Sequence, residues 1–177
     1  MVETARTTEV QMTPIAGIPA LSGKYIAEMD MWPLECAEFN RIYPFYDHLR
    51  EGRLTTTRCK QCGNVAYPPG VICPQCWSEE LEWIDLPQRA KVVAVTETLA
   101  GAPAGFDCPL IIAWLSFEPG TPLKHLLARI VNCAEGQLKE GDEVKFVTFE
   151  VPAHPMDVKK ETKVCERIYY AFEPVKK

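Results

Sequence analysis

No uninterrupted apolar stretch in this chain approaches the roughly 20 residues that a bilayer-spanning helix needs, although 47% of its residues are hydrophobic. The first residues, Met1-Val2-Glu3-Thr4-Ala5-Arg6-Thr7-Thr8-Glu9, lack the charged-then-apolar order of a signal peptide. A membrane is therefore not an expected partner, and the expected location is the cytoplasm. Strongly basic segments are missing as well. Residues 1–57 hold 5 basic and 8 acidic side chains, 58–89 hold 3 and 4, and 90–177 hold 11 and 12, for a net charge of -5. Nucleic-acid binding needs Lys and Arg gathered on one surface, so nucleic acid is not expected either. The densest cluster, Lys159, Lys160 and Lys163, is interrupted by Glu161 and followed by Glu166, which reads as a solvated loop. Histidine is scarce: His48, His125 and His154 are the full complement. Acyl transfer by a cysteine needs a base beside the thiol and donors for the developing oxyanion. No recognisable nucleophile motif surrounds Cys36, Cys108, Cys133 or Cys165. These four read as reduced, incidental thiols, and no catalytic residue is expected.

Cysteine itself is not scarce, and the other four are arranged. Cys59 and Cys62 stand in Cys-Lys-Gln-Cys-Gly, Cys73 and Cys76 in Cys-Pro-Gln-Cys-Trp. Each CxxC can fold as a tight knuckle that aims backbone N–H groups at its sulfurs. Two such knuckles complete a tetrahedral S₄ site that suits one Zn²⁺ and leaves no position open for water or substrate. The expected zinc is structural. Two disulfides are the alternative, but without a signal peptide the doubled spacing favours metal. A redox CxxC would need one pair only.

The rest of the chain falls into four stretches. Residues 1–38 are an N-terminal arm: polar to residue 13, then carrying Ile15, Ile18, Leu21, Tyr25, Ile26, Met29, Met31 and Trp32 among prolines and glycines. That texture suits a segment lying on something else, either a partner or its own domain. A helix is expected from Pro33 to about Ile42. Residues 39–57 form an amphipathic helical lead-in, with a helix from Pro44 that ends before Gly52 and presents Phe45 and Leu49 on one face. Residues 58–89 are the ribbon, with a small hairpin expected between Val65–Tyr67 and Val71–Ile72 and a strand at Leu81–Ile84. From residue 90 to 177 strands repeat: Lys91–Thr98, Leu110–Phe117, Leu123–Val131, Glu143–Val151 and Ile168–Phe172, separated by long loops at Gly101–Cys108 and Pro152–Arg167. Five strands so spaced fit a Greek-key barrel of the OB type. The expected fold is mainly β.

The order of Phe45-Tyr46-Asp47-His48-Leu49-Arg50-Glu51-Gly52-Arg53-Leu54, Arg58-Cys59-Lys60-Gln61-Cys62-Gly63, Tyr67-Pro68-Pro69, Cys73-Pro74-Gln75-Cys76 and Leu81-Glu82-Trp83-Ile84 resembles the DUF35 family of rubredoxin-like zinc-ribbon/OB-fold proteins. Pro109–Leu115 and Gly141-Asp142-Glu143-Val144 extend the likeness into the barrel, over roughly residues 39–174. The resemblance implies a non-catalytic subunit that assembles with a larger thiolase-like enzyme and completes or gates its CoA-thioester pocket. Within the family the likeness is to the small subunit of a thiolase of anaerobic toluene breakdown, which implies cleavage of benzoylsuccinyl-CoA to benzoyl-CoA and succinyl-CoA. The arm departs from the compact family pattern, and Trp77 stands where a usual member has Gly after the last cysteine pair.

Candidate contacts to CoA or to a partner are Phe106 and Asp107 in the glycine-rich loop before the second barrel strand, and Lys124, His125 and Arg129 on the third. Lys and Arg suit phosphate recognition, but an ordinary surface imidazole beside Lys124 is the favoured reading of His125. Tyr67 and Trp83 are expected to pack ribbon against barrel. A stand-alone nucleic-acid-binding module is the alternative function, weakened by the missing basic groove.

Overall fold

The computed structural model describes residue 37 and residues 40–102, 108–158 and 161–175, with the backbone alone for 151–158 and 161–167. The apolar arm at 14–32, Cys36, Phe106 and Asp107 lie outside the described residues. Of the helix expected from Pro33, the described end (residues 40–42) is a turn, in which the Asn40 side chain accepts the Ile42 N–H at 3.0 Å.

Helix α1 spans Tyr43–Arg50, with Pro44 in its first turn, where a missing N–H does no harm. Phe45 and Leu49, four apart and therefore on one face, are its buried residues. Gly52, at φ +71°, reverses the chain, and the Gly52 and Arg53 N–H groups reach back to the carbonyls of Leu49 and His48 at 2.9 and 2.8 Å.

Three strands follow: β1 (Thr55–Cys59), β2 (Val65–Ala66) and β3 (Leu81–Asp85), in the spatial order β2-β1-β3. Strand β1 is central because its three β-branched threonines suit an extended backbone. They are buried, and each hydroxyl has a partner. Thr55 meets His48 Nδ1 of α1 at 2.9 Å, Thr56 donates to the Ala66 carbonyl, and Thr57 shares Gly70 through its N–H and C=O. The expected hairpin between 65–67 and 71–72 is corrected here. β2 pairs with β1 instead (Thr57↔Ala66, Arg58↔Val65), and residues 71 and 72 bend without pairing. Pro68 and Pro69 carry no N–H to give a ladder, so the return strand could not be built there.

The barrel holds β4 (Arg89–Thr98), β5 (Leu110–Ser116), β6 (His125–Ile130), β7 (Glu143–Val158) and β8 (Glu161–Pro174), closed in the order β4-β5-β6-β8-β7. Neighbours are antiparallel except β6 and β8, which run parallel at Ile130↔Phe172. This is the five-stranded Greek-key topology of an OB fold. Strand β5 is flanked on both sides, by β4 and β6, which accounts for its near-continuous apolar run. The expected loop at Pro152–Arg167 is also corrected: β7 and β8 continue through it as one long hairpin, paired from Val144↔Pro174 to Val158↔Glu161 with an irregularity between Val151 and His154. The prolines at 152 and 155 argued for a loop, but a two-stranded ladder with open edges tolerates them where the N–H faces outward.

Core and helix are one body. Phe45, Leu49, Leu54 and Leu86 bury into the same cluster as Ile111, Leu115, Val144 and Phe172 of the barrel. Phe45 meets Tyr67 of the ribbon and Tyr170 of β8 edge-on at 6.4 and 6.2 Å, and the Tyr67 hydroxyl donates to that of Tyr170. Tyr67 thus packs ribbon against barrel, as its sequence position suggested. Trp83 joins the cluster too, edge-on to His48 at 5.2 Å.

Candidate metal centre

Strand β1 delivers Cys59 at its end and β3 begins just after the second knuckle, so the sheet holds the two CxxC turns side by side. Each turn is closed in the same way. The Cys59 N–H bonds the Asn64 carbonyl and the Gly63 N–H bonds the Cys59 carbonyl, both at 2.9 Å. In the second turn Cys73 N–H reaches Ser78 O at 2.9 Å and Trp77 N–H reaches Cys73 O at 3.0 Å. The position after the second cysteine is left-handed in both: Gly63 at φ +73° and Trp77 at φ +62°. Glycine takes that conformation freely, whereas a side chain there costs about 1 kcal/mol. Trp77 is 79% exposed, so packing among the described residues offers it little compensation.

All four Sγ atoms lie within 4.8 Å of one another. Cys59 to Cys76 is 3.5 Å and Cys62 to Cys73 is 3.6 Å. A disulfide is about 2.05 Å, so neither contact is one. A tetrahedral ion with bonds of about 2.3 Å separates its sulfurs by about 3.8 Å, close to what is seen. The donor set therefore fits a four-coordinate metal ion with all positions filled by protein.

The backbone prepares the sulfurs for a cation. The N–H groups of Cys62 and Gln61 hold the Cys59 thiol below its ordinary range. Burial opposes ionisation of Cys73 most strongly, yet the N–H groups of Cys76 and Gln75 prevail and bring it to about 6, the Gln75 contact measuring 3.4 Å. The Asn64 and Ser78 N–H groups favour the Cys62 and Cys76 thiolates, but burial and the neighbouring sulfurs outweigh them. Those two thiols go up, Cys76 to about 12. Four thiolates this close repel one another, and a cation in their midst reverses that balance.

The other candidates are not gathered here. Lys124 is exposed just before β6, and His125 and Arg129 lie on the outer face of that strand. Four residues apart, the latter two are separated by about 13 Å, too far to share one phosphate. His125 stacks on Trp114 of β5 at 5.6 Å. Sequence reasoning passed over Trp114, because a tryptophan inside an apolar run reads as core; only the register shows it facing out. Cys108 is exposed, and Cys133 is half-buried with its thiol pushed up by burial.

Fold and site together define a class: a two-knuckle cysteine ribbon preceded by one helix and running directly into an OB barrel. Residues 47–82 match the ChsH2 rubredoxin-like zinc ribbon domain. The chain is 30% identical over 114 residues to a DUF35 domain-containing scaffold protein of Pyrococcus furiosus, covering 63% of this chain and 80% of that protein. It is 33% identical over 104 residues to the scaffold protein of that name in Methanocaldococcus jannaschii, covering 56% and 71%. The chain belongs to the DUF35 family. It is also 34% identical over 89 residues to benzoylsuccinyl-CoA thiolase subunit BbsA of Thauera aromatica, covering 50% of this chain and 58% of that subunit. The solved Ltp2-ChsH2(DUF35) aldolase shares the fold, with a TM-score of 0.53 at 21% identity over 76% of this chain and 95% of that one. Among the described residues no helix is long and apolar enough to cross a membrane.

Proposed function

We propose that this chain is a zinc-binding, non-catalytic subunit of an acyl-CoA thiolase complex. The observation that carries the reading is the closed S₄ site: with four protein ligands a metal there has no position for substrate, so it can organise the ribbon but not do chemistry. Zn²⁺ is the ion assigned, because all-thiolate tetrahedral ligation suits it and it brings no redox reaction. Two of the three histidines serve structure: His48 holds Thr55 and Trp83, and His125 stacks on Trp114. Neither activates a cysteine. The BbsA likeness supports a thiolase partner, with cleavage of benzoylsuccinyl-CoA to benzoyl-CoA and succinyl-CoA as the reaction the partner performs.

In this reading the partner carries the nucleophile and this chain helps shape and close the CoA-thioester pocket. The Gly101–Asp107 loop, with Phe106 and Asp107, covers that pocket and excludes water while the C–C bond is cleaved. The arm at 14–32 docks on the partner. Lys124, His125 and Arg129 stand at or near the interface.

Reconstitution tests it. The chain alone should give no thiolytic turnover of an acyl-CoA, and mixing with a thiolase-like subunit of the source organism should restore it. Phe106→Ala should preserve assembly and impair substrate use, while deletion of residues 1–32 should weaken assembly. Full turnover by the isolated 20.0 kDa chain, or failure to bind any such subunit, would sink the proposal.

A further inference from the structure

Strand alternation divides the side chains of β7 and β8 between the two sides of the barrel wall. Val144, Phe146, Ile168, Tyr170 and Phe172 join the main core. Val147, Phe149, Ala171 and Tyr169 point the other way, paired as Val147↔Ala171 and Phe149↔Tyr169, with the last two rings stacked at 6.1 Å. Val131 extends this outer group: Ile130 before it faces the core, and the Val131 N–H bonds the Phe172 carbonyl at 2.9 Å. Outward positions of a barrel are ordinarily open to water, as Val93, Trp114 and Leu127 are on β4, β5 and β6. This group is not. Val131, Val147, Phe149 and Ala171 are only 6%, 4%, 3% and 0% exposed. The Arg129 Nε and Nη1 atoms, on the outer side of β6, are shielded from solvent as well.

A second layer therefore lies over this part of the wall. Among the described residues only Tyr169 packs against the group, and α1 and the ribbon bury into the main core instead. We propose that the second layer is the arm of this same chain, residues 14–32, lying across the outer side of β6, β8 and β7. This bedding does not depend on the accessory-subunit reading. Within that reading, an arm so placed presents its other side to the partner.

Size and position favour the arm over the other segments outside the described residues. Val147 to Phe149 covers about 7 Å along the strand, and three strands cover about 10 Å across. One ring does not span that, which sets aside Phe106, the one large apolar side chain of residues 103–107. Residues 159–160 and 176–177 are lysines, while 151–158 and 161–167 continue the ladder beyond the patch rather than over it. The arm has the material, with Tyr25, Ile26, Met29, Met31 and Trp32 near its end. It also starts in the right place. Helix α1 sets Phe45 against Tyr170, the neighbour of Tyr169, at 6.2 Å, and the stretch from Trp32 to Asn40 reaches up to about 28 Å. A tethered segment acts at an effective concentration of roughly mM, so burying a few apolar side chains holds it without a partner's help.

Hydroxyl-radical footprinting of the isolated, metal-loaded chain tests the assignment. Modification is read by mass spectrometry at Phe149 and Tyr169, with Phe172 in the core as the control for folding. Wild type should protect Phe149 nearly as well as Phe172. Combining Tyr25→Ser, Met29→Ser and Trp32→Ser leaves every described residue untouched; it should raise modification of Phe149 and Tyr169 several-fold while Phe172 stays protected. Deletion of residues 1–32 should do the same. Modification of wild-type Phe149 at the rate of free phenylalanine, or full protection of it in both arm variants, overturns the arm as the cover. So does exposure of Phe149 by Phe106→Ala alone, which gives the cover to the β4–β5 loop. Protection that is lost on dilution gives it to a second copy and overturns it too. No partner is in the sample, so each of these failures leaves the accessory-subunit reading standing.

Discussion

Replacing Tyr67 and Tyr170 by Phe, singly and together, probes the joint between ribbon and barrel at two pH values. The two hydroxyls bond each other across that joint, under Phe45. At neutral pH a single Tyr170→Phe leaves the Tyr67 hydroxyl without this partner, which should cost about 1–2 kcal/mol. The double variant should lose less than the two singles summed, because it strands neither oxygen. Alkaline pH separates the variants further. Burial, the leading cause for both residues, raises both tyrosines above their ordinary value of 10.0, and for Tyr67 the neighbouring Tyr170 adds to the rise. Their contribution is therefore fully present below pH 10 and falls as pH climbs past it, since the unfolded chain releases protons that the folded one keeps. At pH 11 the loss is at most about 1.4 kcal/mol per tyrosine, or about 2.8 for the pair. For a chain of this size that is roughly 6–11 °C in thermal midpoint. Urea unfolding at pH 8 and pH 11, wild type against the double variant, isolates it because lysine and cysteine titrations cancel in the difference. Equal alkaline losses in the two proteins would refute the buried, mutually bonded pair.

Metal analysis of undenatured protein should find one zinc per chain, and replacing Cys59, Cys62, Cys73 or Cys76 by Ser should release it and loosen residues 55–85, read as lost hydrogen-exchange protection there. Acid should release the metal in the same way, since protons compete for the four sulfurs. Trp77→Gly should stabilise the ribbon by about 0.5–1 kcal/mol, seen as a later chelator-induced transition, with metal stoichiometry unchanged. Cys108→Ala should leave turnover by the assembled complex at the wild-type rate. Asp85→Asn, which breaks a two-pronged contact with Arg53 at 2.9 and 3.1 Å, should cost less than about 1 kcal/mol because both groups are well exposed.

How much of this was legible beforehand varied by element. The two CxxC pairs are local, and their spacing alone brings four sulfurs together. The start and stop of α1 were written in Pro44 and Gly52. The barrel strands showed through alternation and turn residues, and their number implied the topology. What failed was the stretch from 152 to 167, where prolines and interspersed charges mask a ladder fixed by the partner strand rather than by propensity. The ribbon's hairpin failed for a related reason: Val71 and Ile72 have strand-forming side chains but no neighbour able to donate. The outer group on β6, β8 and β7 was invisible because it is assembled from three segments whose registers no one of them encodes. His125 and Arg129 were singled out as cations on a strand, while Trp114, stacked on His125, went unremarked.

The parallel meeting of β6 and β8 bears on how the barrel comes together in time. Strands β4, β5 and β6 follow one another, and β7 and β8 are joined by a hairpin, so each group can zip from its own turn within microseconds. Nothing local brings the two groups into register. They meet at Ile130↔Phe172 and at the short ladder from Arg89↔Lys145 to Lys91↔Glu143, across long intervening chain. Closing such loops is the slow, entropically opposed step of folding. Phe172 sits at that meeting, fully buried and against Phe146. Until those two seams form, the Phe172 edge of the barrel stays uncovered. Binding of the metal to the ribbon, which feeds directly into β4 through Leu86–Gln88, would anchor one half before the other arrives.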